Sequence, residues 1–125
     1  MSKKRWQDKS EDHDFPAAGE YLSLLFPESV SASIVDELQG ADTIYRKAKD
    51  LMQASGPALL PHNDPHVAKT LKEVAKGDLL SPVLLVRGRA LARAPLIVAD
   101  GYHRICASYH LDENAEIPCR LVDLP

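Results

Sequence analysis

The chain has 125 residues, of which 45% are hydrophobic and 26% charged, and its formal net charge is −3 at pH 7. This composition is typical of a globular domain, and the acidic balance argues against a stand-alone nucleic-acid binder, which needs a basic face. Since the chain shows neither the ~18 consecutive apolar residues of a membrane span nor the apolar core of a signal peptide, we expect a cytoplasmic protein with no membrane partner.

The first 14 residues, "MSKKRWQDKSEDHD", mix both charges around one aromatic residue. They offer little apolar surface to bury, so we predict a flexible tail over 1–14. Residues 15–125 are predicted to form a single domain, since a chain of this length commonly folds as one. Its N-terminal part, 15–60, is predicted to be helical, and its remainder, 61–125, to contain both helices and strands.

Apolar spacing predicts two helices in the N-terminal part. The first opens at Phe26-Pro27, with Pro27 at the first helical position, and ends before Gly40. The second ends at the Ser-Gly-Pro sequence of residues 55–57. Four residues form its apolar face: Ile44, Ala48, Leu51 and Met52.

A third helix is predicted to begin with Asp64 as N-cap and Pro65 as the first helical residue. Gly77 ends it. Its apolar stripe consists of Val67, Leu71, Val74 and Ala75. His62, Asp64 and His66 alternate in "PHNDPH", but helix capping accounts for Asp64 and no fourth ligand is in view, so we expect no metal site there.

Short apolar runs predict strands after Gly77. They lie at 82–88, 96–100 and 117–122, and "RALARA" (89–94) is predicted to be a turn-rich excursion between the first two. A helix over 101–111 follows the second strand. The fold class predicted is therefore α+β, with N-terminal helices packed on a small mixed sheet.

The junction "ADGYHR" combines an apolar strand, one glycine and three unlike polar side chains. On a helix starting near Gly101, an apolar face is formed by Tyr102, Ile105, Cys106 and Tyr109. His103 and Arg104 point elsewhere, at a helix start whose unpaired N–H groups favour anions. Asp100 has two interpretations. It caps the helix, or it coordinates Mg²⁺ or orients His103 or a substrate hydroxyl.

The stretches "DPHVAKTLKEVAKGDLLSPVLLVRG" and "ADGYHRICASYHL…IPCRLVDL" resemble the ParB/sulfiredoxin-like superfamily over about residues 61–124. The resemblance implies that Gly101, His103 and Arg104 form a phosphate-binding turn. It also implies that Lys69 and Thr70, on the preceding helix, contact the nucleotide.

The chain departs from two branches of that superfamily. Sulfiredoxins carry a catalytic cysteine where this chain has Tyr102, so we do not expect sulfinic acid reduction. ParB proteins have Gly-Glu-Arg-Arg at the turn and a downstream helix-turn-helix domain, for which we expect no room here, so DNA binding is not expected. The Asp-Gly-x-His-Arg form resembles stand-alone members, some of which are nucleotide-dependent kinases of small hydroxylated metabolites.

Two functions follow from this interpretation. The first is binding of a nucleoside triphosphate with Mg²⁺, with Asp100 and His103 as catalytic residues for phosphoryl transfer or nucleotide hydrolysis. The second is a non-catalytic regulatory or interaction module that uses the same anion-binding turn. In either case, the helical part over 15–60 is a candidate surface for a protein partner or for self-association.

Overall fold

The computed structural model of the chain describes residues 4–88 and 95–125, so the excursion predicted over 89–94 lies outside the described residues. The described part has five helices and a four-stranded mixed sheet, which confirms the predicted α+β class. In chain order the elements are α1 (Asp14–Leu22), α2 (Glu28–Gly40), β1 (Ile44–Lys47), α3 (Ala48–Ser55), α4 (Pro65–Ala75), β2 (Val83–Arg87), β3 (Ile97–Asp100), α5 (Tyr102–Leu111) and β4 (Glu116–Asp123). None of the described helices is long and apolar enough to cross a membrane.

The sheet has the order β1-β4-β2-β3 and is buried on both faces at its centre. β2 runs parallel to β4, while β1 and β3 at the two edges run antiparallel to their neighbours. Alternate residues of β2 point to opposite faces, and Val83 through Val86 are all buried. The unbroken apolar run in the sequence therefore reflects helices on both sides of the strand.

The two faces of the sheet carry separate cores. On one face, α1 packs on β3 and α2 on β4, with a core formed by Phe15, Ala18, Leu22, Ile34, Leu38, Leu84, Val86 and Ala99. On the other face lie α3, α4 and α5, with Leu51, Met52, Val67, Val83, Leu85, Ile105, Cys106, Ile117 and Cys119 in the core. This second layer carries α4 and α5, the two helices that bear the predicted site residues.

The prediction of one helix carrying Ile44 and Ala48 is wrong at its start. Residues 44–47 form strand β1, and α3 begins only at Ala48. Ile44 pairs with Cys119 and Lys47 with Glu116 on β4. The β-branched and aromatic residues of this segment suit a strand, and a partner strand some 70 residues later stabilises that choice over local helix spacing.

The structure also differs from the prediction nearer the N-terminus. Helix α1 is absent from the predicted elements, although its Pro16 lies in the first turn, where a missing N–H costs no hydrogen bond. Pro27 is the N-cap of α2 rather than its first residue. Instead of a free tail, the described part of 1–14 packs on the domain: Trp6 contacts the core, and the backbone at residues 5–7 bonds to Leu80 at 2.8 and 2.7 Å.

Candidate functional site

Gly101 joins β3 to α5 in a backbone conformation that only glycine adopts readily. Its φ is +110°, and it is the N-cap of α5. A Cβ at this position would lie 2.5 Å from Cγ1 of Val83 and 2.8 Å from Nη2 of Arg104. The glycine therefore serves two needs, a left-handed turn and a close approach to the buried strand β2.

The start of α5 presents its backbone N–H groups without a side-chain cap. The first intrahelical bond runs from the N–H of Ile105 to the carbonyl of Gly101 at 3.1 Å, so the N–H groups of residues 102–104 precede the helical ladder. Asp100 does not cap the helix, which excludes one of its two interpretations. The positive end of the helix dipole at this turn favours a bound anion.

Asp100 instead forms an ion pair with Arg104 on the first turn of α5. Oδ2 of Asp100 accepts a hydrogen bond from Nη2 of Arg104 at 2.9 Å, and the two side chains are only 17% and 18% exposed. The same Nη2 donates to the carbonyl of Pro82 at 3.3 Å. Nε of Arg104 is buried, and within residues 4–88 and 95–125 it has no hydrogen-bond partner.

Asp14 provides a second carboxyl group near Asp100. It was not among the site residues predicted from the sequence. It begins α1, is 2% exposed, and its Oδ2 accepts a hydrogen bond from the N–H of Glu11 at 3.0 Å. Its carboxyl group acts on the pKa of Asp100. Burial raises the pKa of Asp100, Arg104 opposes this, and Asp14 adds to the rise. Asp100 is therefore held nearer to protonation than an ordinary aspartate.

Two histidines face each other at the mouth of the site. The rings of His66 and His103 lie 4.7 Å apart between centroids, with an interplanar angle of 34°. His66 is fixed at the start of α4, where Oδ2 of Asp64 accepts bonds from the N–H groups of His66 and Val67 at 3.1 Å each. This capping confirms the predicted start of α4.

The environment of His103 favours its neutral form. Burial lowers the pKa of His103, the adjacent His66 lowers it further, and Asp64 partly opposes both. Neutral imidazole carries one N–H donor and one acceptor nitrogen. At pH 7 His103 is therefore able to donate to a phosphate oxygen or to accept a proton.

Lys69 and Thr70 reach the site from α4, but in different states. Lys69 is exposed, and no carboxylate within the described residues lies within ion-pair distance of its ammonium group. Thr70 is buried, and its hydroxyl donates to the carbonyl of His66 at 3.0 Å. Lys69 is therefore available to a ligand as a cation, whereas Thr70 retains only acceptor capacity.

These side chains surround one polar cavity of about 270 Å³, called here the polar pocket. It is lined by His66, Lys69, Thr70, Glu73, Leu80, Asp100, Gly101, His103 and Arg104. All six residues predicted for the site are among them, drawn from two stretches some 30 residues apart. Since ligand pockets commonly measure about 300–1,000 Å³, the volume suits a small polar ligand or one part of a larger ligand.

Tyr102 lies on the other side of the turn, in a separate apolar cavity of about 640 Å³. Its hydroxyl donates to the carbonyl of Ala58, and burial raises the pKa of Tyr102 to about 12. The adjacent Cys106 thiol is buried, and burial raises its pKa as well. Neither group has the low pKa that a reactive nucleophile needs.

No family model, curated protein or solved structure matches this chain. The resemblance to the ParB/sulfiredoxin-like superfamily therefore stays a prediction, and the polar pocket has to be interpreted from its own geometry.

Proposed function

We propose that the protein binds the phosphates of a nucleotide in the polar pocket. One observation carries the proposal. The residues that the resemblance implies for phosphate binding, Lys69 and Thr70 on α4 and Gly101, His103 and Arg104 at the start of α5, line the same cavity. Segments so far apart in the chain meet there only because α4 packs against α5.

Three features of the polar pocket favour an anion. The free N–H groups at the start of α5 contribute up to about 2 kcal/mol toward a negative charge when partly buried. Gly101 contributes backbone atoms alone to the lining of the pocket. Lys69, which has no ion-pair partner in the described chain, adds an unneutralised positive charge at the rim.

A phosphate ligand has to compete with Asp100 for the guanidinium of Arg104. This guanidinium is already paired with Asp100, and Glu73 brings a second carboxylate to the lining. Protonation of Asp100, which its raised pKa favours, weakens that pair and releases Arg104 toward a phosphate. Asp100 is therefore expected to take up a proton when phosphate binds, unless a bound cation neutralises the carboxylate instead.

The carboxyl group of Asp100, which lines the polar pocket, suits a Mg²⁺ ion, which prefers oxygen ligands and is usually held by one or two carboxylates together with phosphates. Bound there, the ion would neutralise phosphate charge. Asp100 also has the chemistry of a general base, since burial raises the pKa of that carboxyl, and His103, in the lining of the same pocket, is held toward its neutral form because burial lowers its pKa. If the protein is an enzyme, these two groups serve phosphoryl transfer or nucleotide hydrolysis, with most of the rate supplied by positioning.

The second candidate function is a non-catalytic module that holds a nucleotide or another anion as a regulatory ligand. The ion pair of Asp100 with Arg104 favours it, because that pair already engages the carboxyl group. A carboxylate committed to this structural contact holds the turn in place and is less free to accept a proton from a substrate.

Thermal unfolding with ATP, CTP or GTP, each with and without Mg²⁺, tests the proposal. A ligand at a hundredfold excess over its Kd adds about 2.7 kcal/mol of stability, so at least one nucleotide should raise the Tm. The rise should disappear in Arg104→Ala and weaken in Lys69→Ala, and it should persist in Arg87→Ala, which removes an exposed arginine paired with Asp123. No rise with any nucleotide, or an unchanged rise in Arg104→Ala, contradicts nucleotide binding at this turn.

A further inference from the structure

The acidic residues of the chain are concentrated in its first helical layer. Between Ser10 and Tyr45 there are eight Asp and Glu residues, and all fifteen Lys and Arg residues lie outside this segment. Helices α1 and α2 occupy most of it. The layer therefore presents an acidic surface, on the side of the sheet opposite to α4 and α5.

A groove runs between α1 and α2 on this surface, with a volume of about 640 Å³. Apolar atoms form much of its lining, including Phe15, Phe26 and Val35. Gly19 of α1 faces Val35 of α2, and a Cβ at Gly19 would lie in ordinary van der Waals contact with Cγ2 of Val35, at 3.5 Å. The groove between two packed helices is the ordinary position for a third helix.

Three acidic side chains, Glu20, Glu28 and Asp36, stand along this groove. All three are exposed, and none forms an ion pair with any described residue. Near the groove, the guanidinium of Arg120 lies 5.6 Å from the centre of the Phe15 ring. Arg120 donates to carbonyls at the C-terminal end of α2, so it does not neutralise these carboxylates.

Exposed apolar side chains continue the surface beyond one end of the groove. Leu24 is 82% exposed and Leu25 is 50% exposed, in the turn that follows α1. Ser23, their neighbour in the chain, and Phe26 both line the groove. A partner that fits this surface carries apolar side chains for the floor and positive charges for the rim.

We propose that the groove between α1 and α2 binds a cationic amphipathic helix of another protein. Apolar residues of that helix pack on Phe26 and Val35, while its Lys and Arg residues pair with Glu20 and Asp36. The proposal is independent of nucleotide binding, because the groove shares no residue with the polar pocket.

A fluorescent peptide of about 18 residues, built from Leu and Lys in helical register, tests the proposal by fluorescence anisotropy on the full chain. It spans about 27 Å when helical. The peptide should bind, and a peptide of the same composition in scrambled order should bind much more weakly. Glu20→Gln with Asp36→Asn should weaken binding by about tenfold, whereas the matched pair Glu37→Gln with Asp42→Asn, outside the groove, should leave it nearly unchanged.

A second pair of variants separates docking from general charge attraction. Ala32→Glu adds a negative charge but fills the groove that Ala32 lines, so it should weaken binding. Ser33→Glu adds the same charge on an exposed position away from the groove and should not weaken it. Equal binding of ordered and scrambled peptides, or equal loss in the two charge-neutralised pairs, overturns the proposal. So does self-association through this surface without peptide binding, measured by sedimentation.

Discussion

Replacement of Gly101 by alanine tests the geometry of the turn that the proposed function requires. Two costs add up in this variant. A non-glycine residue in the left-handed region costs about 1–2 kcal/mol, and Gly101 has φ of +110°. The new Cβ would also stand 2.5 Å from Cγ1 of Val83, a contact that forces the buried strand to shift, and such overpacking costs about 1–3 kcal/mol.

Gly77→Ala is the matched control, because Gly77 has φ of +92° and a Cβ there would meet no heavy atom of the described residues within 4 Å. It carries the backbone cost of about 1–2 kcal/mol alone. Gly101→Ala should therefore lose about 1–3 kcal/mol more than Gly77→Ala in the free energy of unfolding. Urea unfolding of both variants, with unchanged m-values, measures the difference.

A second substitution, Val83→Ala, separates the steric part of the stability loss in Gly101→Ala from the backbone part, because it removes the side chain that the new Cβ would contact. In a double-mutant cycle, Gly101→Ala should cost less when Val83 is already truncated, with a coupling energy above about 0.5 kcal/mol. If Gly101→Ala is no more destabilising than Gly77→Ala, or if the two substitutions are additive, the close packing of the turn against β2 is wrong.

Three further outcomes are expected. Lys69→Ala should weaken nucleotide binding in a calorimetric titration, while Lys72→Ala, on the same helix but outside the polar pocket, should not. Asp100→Asn removes the carboxylate that pairs with Arg104, so this variant should bind inorganic triphosphate without Mg²⁺ more tightly than the unmutated chain. If the protein is an enzyme, Asp100→Asn should also lose turnover. Absence of turnover in the unmutated chain favours the non-catalytic module. Since burial lowers the pKa of His103, the unfolded state takes up the proton first as the pH falls from about 7.5 to about 5.5. Stability should therefore fall through this window, and less so in His103→Gln, as measured by urea midpoints; an equal fall in both contradicts the assignment.

The turn at Gly101 and the start of α4 were predictable from sequence because their determinants are local, whereas the placing of Lys69 and Thr70 beside that turn came only from the family resemblance. Gly101 interrupts an apolar run directly before a helical pattern, and few positions other than a strained turn use a glycine in this way. Asp64 and Pro65 likewise mark the start of α4, since a cap and an N1 proline depend on neighbouring backbone alone. These signals place Lys69 and Arg104 on the correct helices.

The features that sequence reasoning missed depend on distant partners. Asp14 resembles one more charge in a polar tail until α1 packs on β3 and brings it to Asp100, 86 positions later. Ile44 fits a helical stripe as well as a strand, and only pairing with Cys119 decides between them. No local pattern carries either piece of information.

The most direct test of the central claim is a titration of the isotopically labelled chain with ATP and Mg²⁺, followed through its backbone amide NMR resonances. Nucleotide phosphates bound in the polar pocket should shift the amides of residues 101–104 first and most strongly, and Lys69→Ala should reduce those shifts at equal ligand concentration. Saturating shifts confined to other parts of the chain, or no shifts with ATP, CTP or GTP, would contradict phosphate binding at the start of α5.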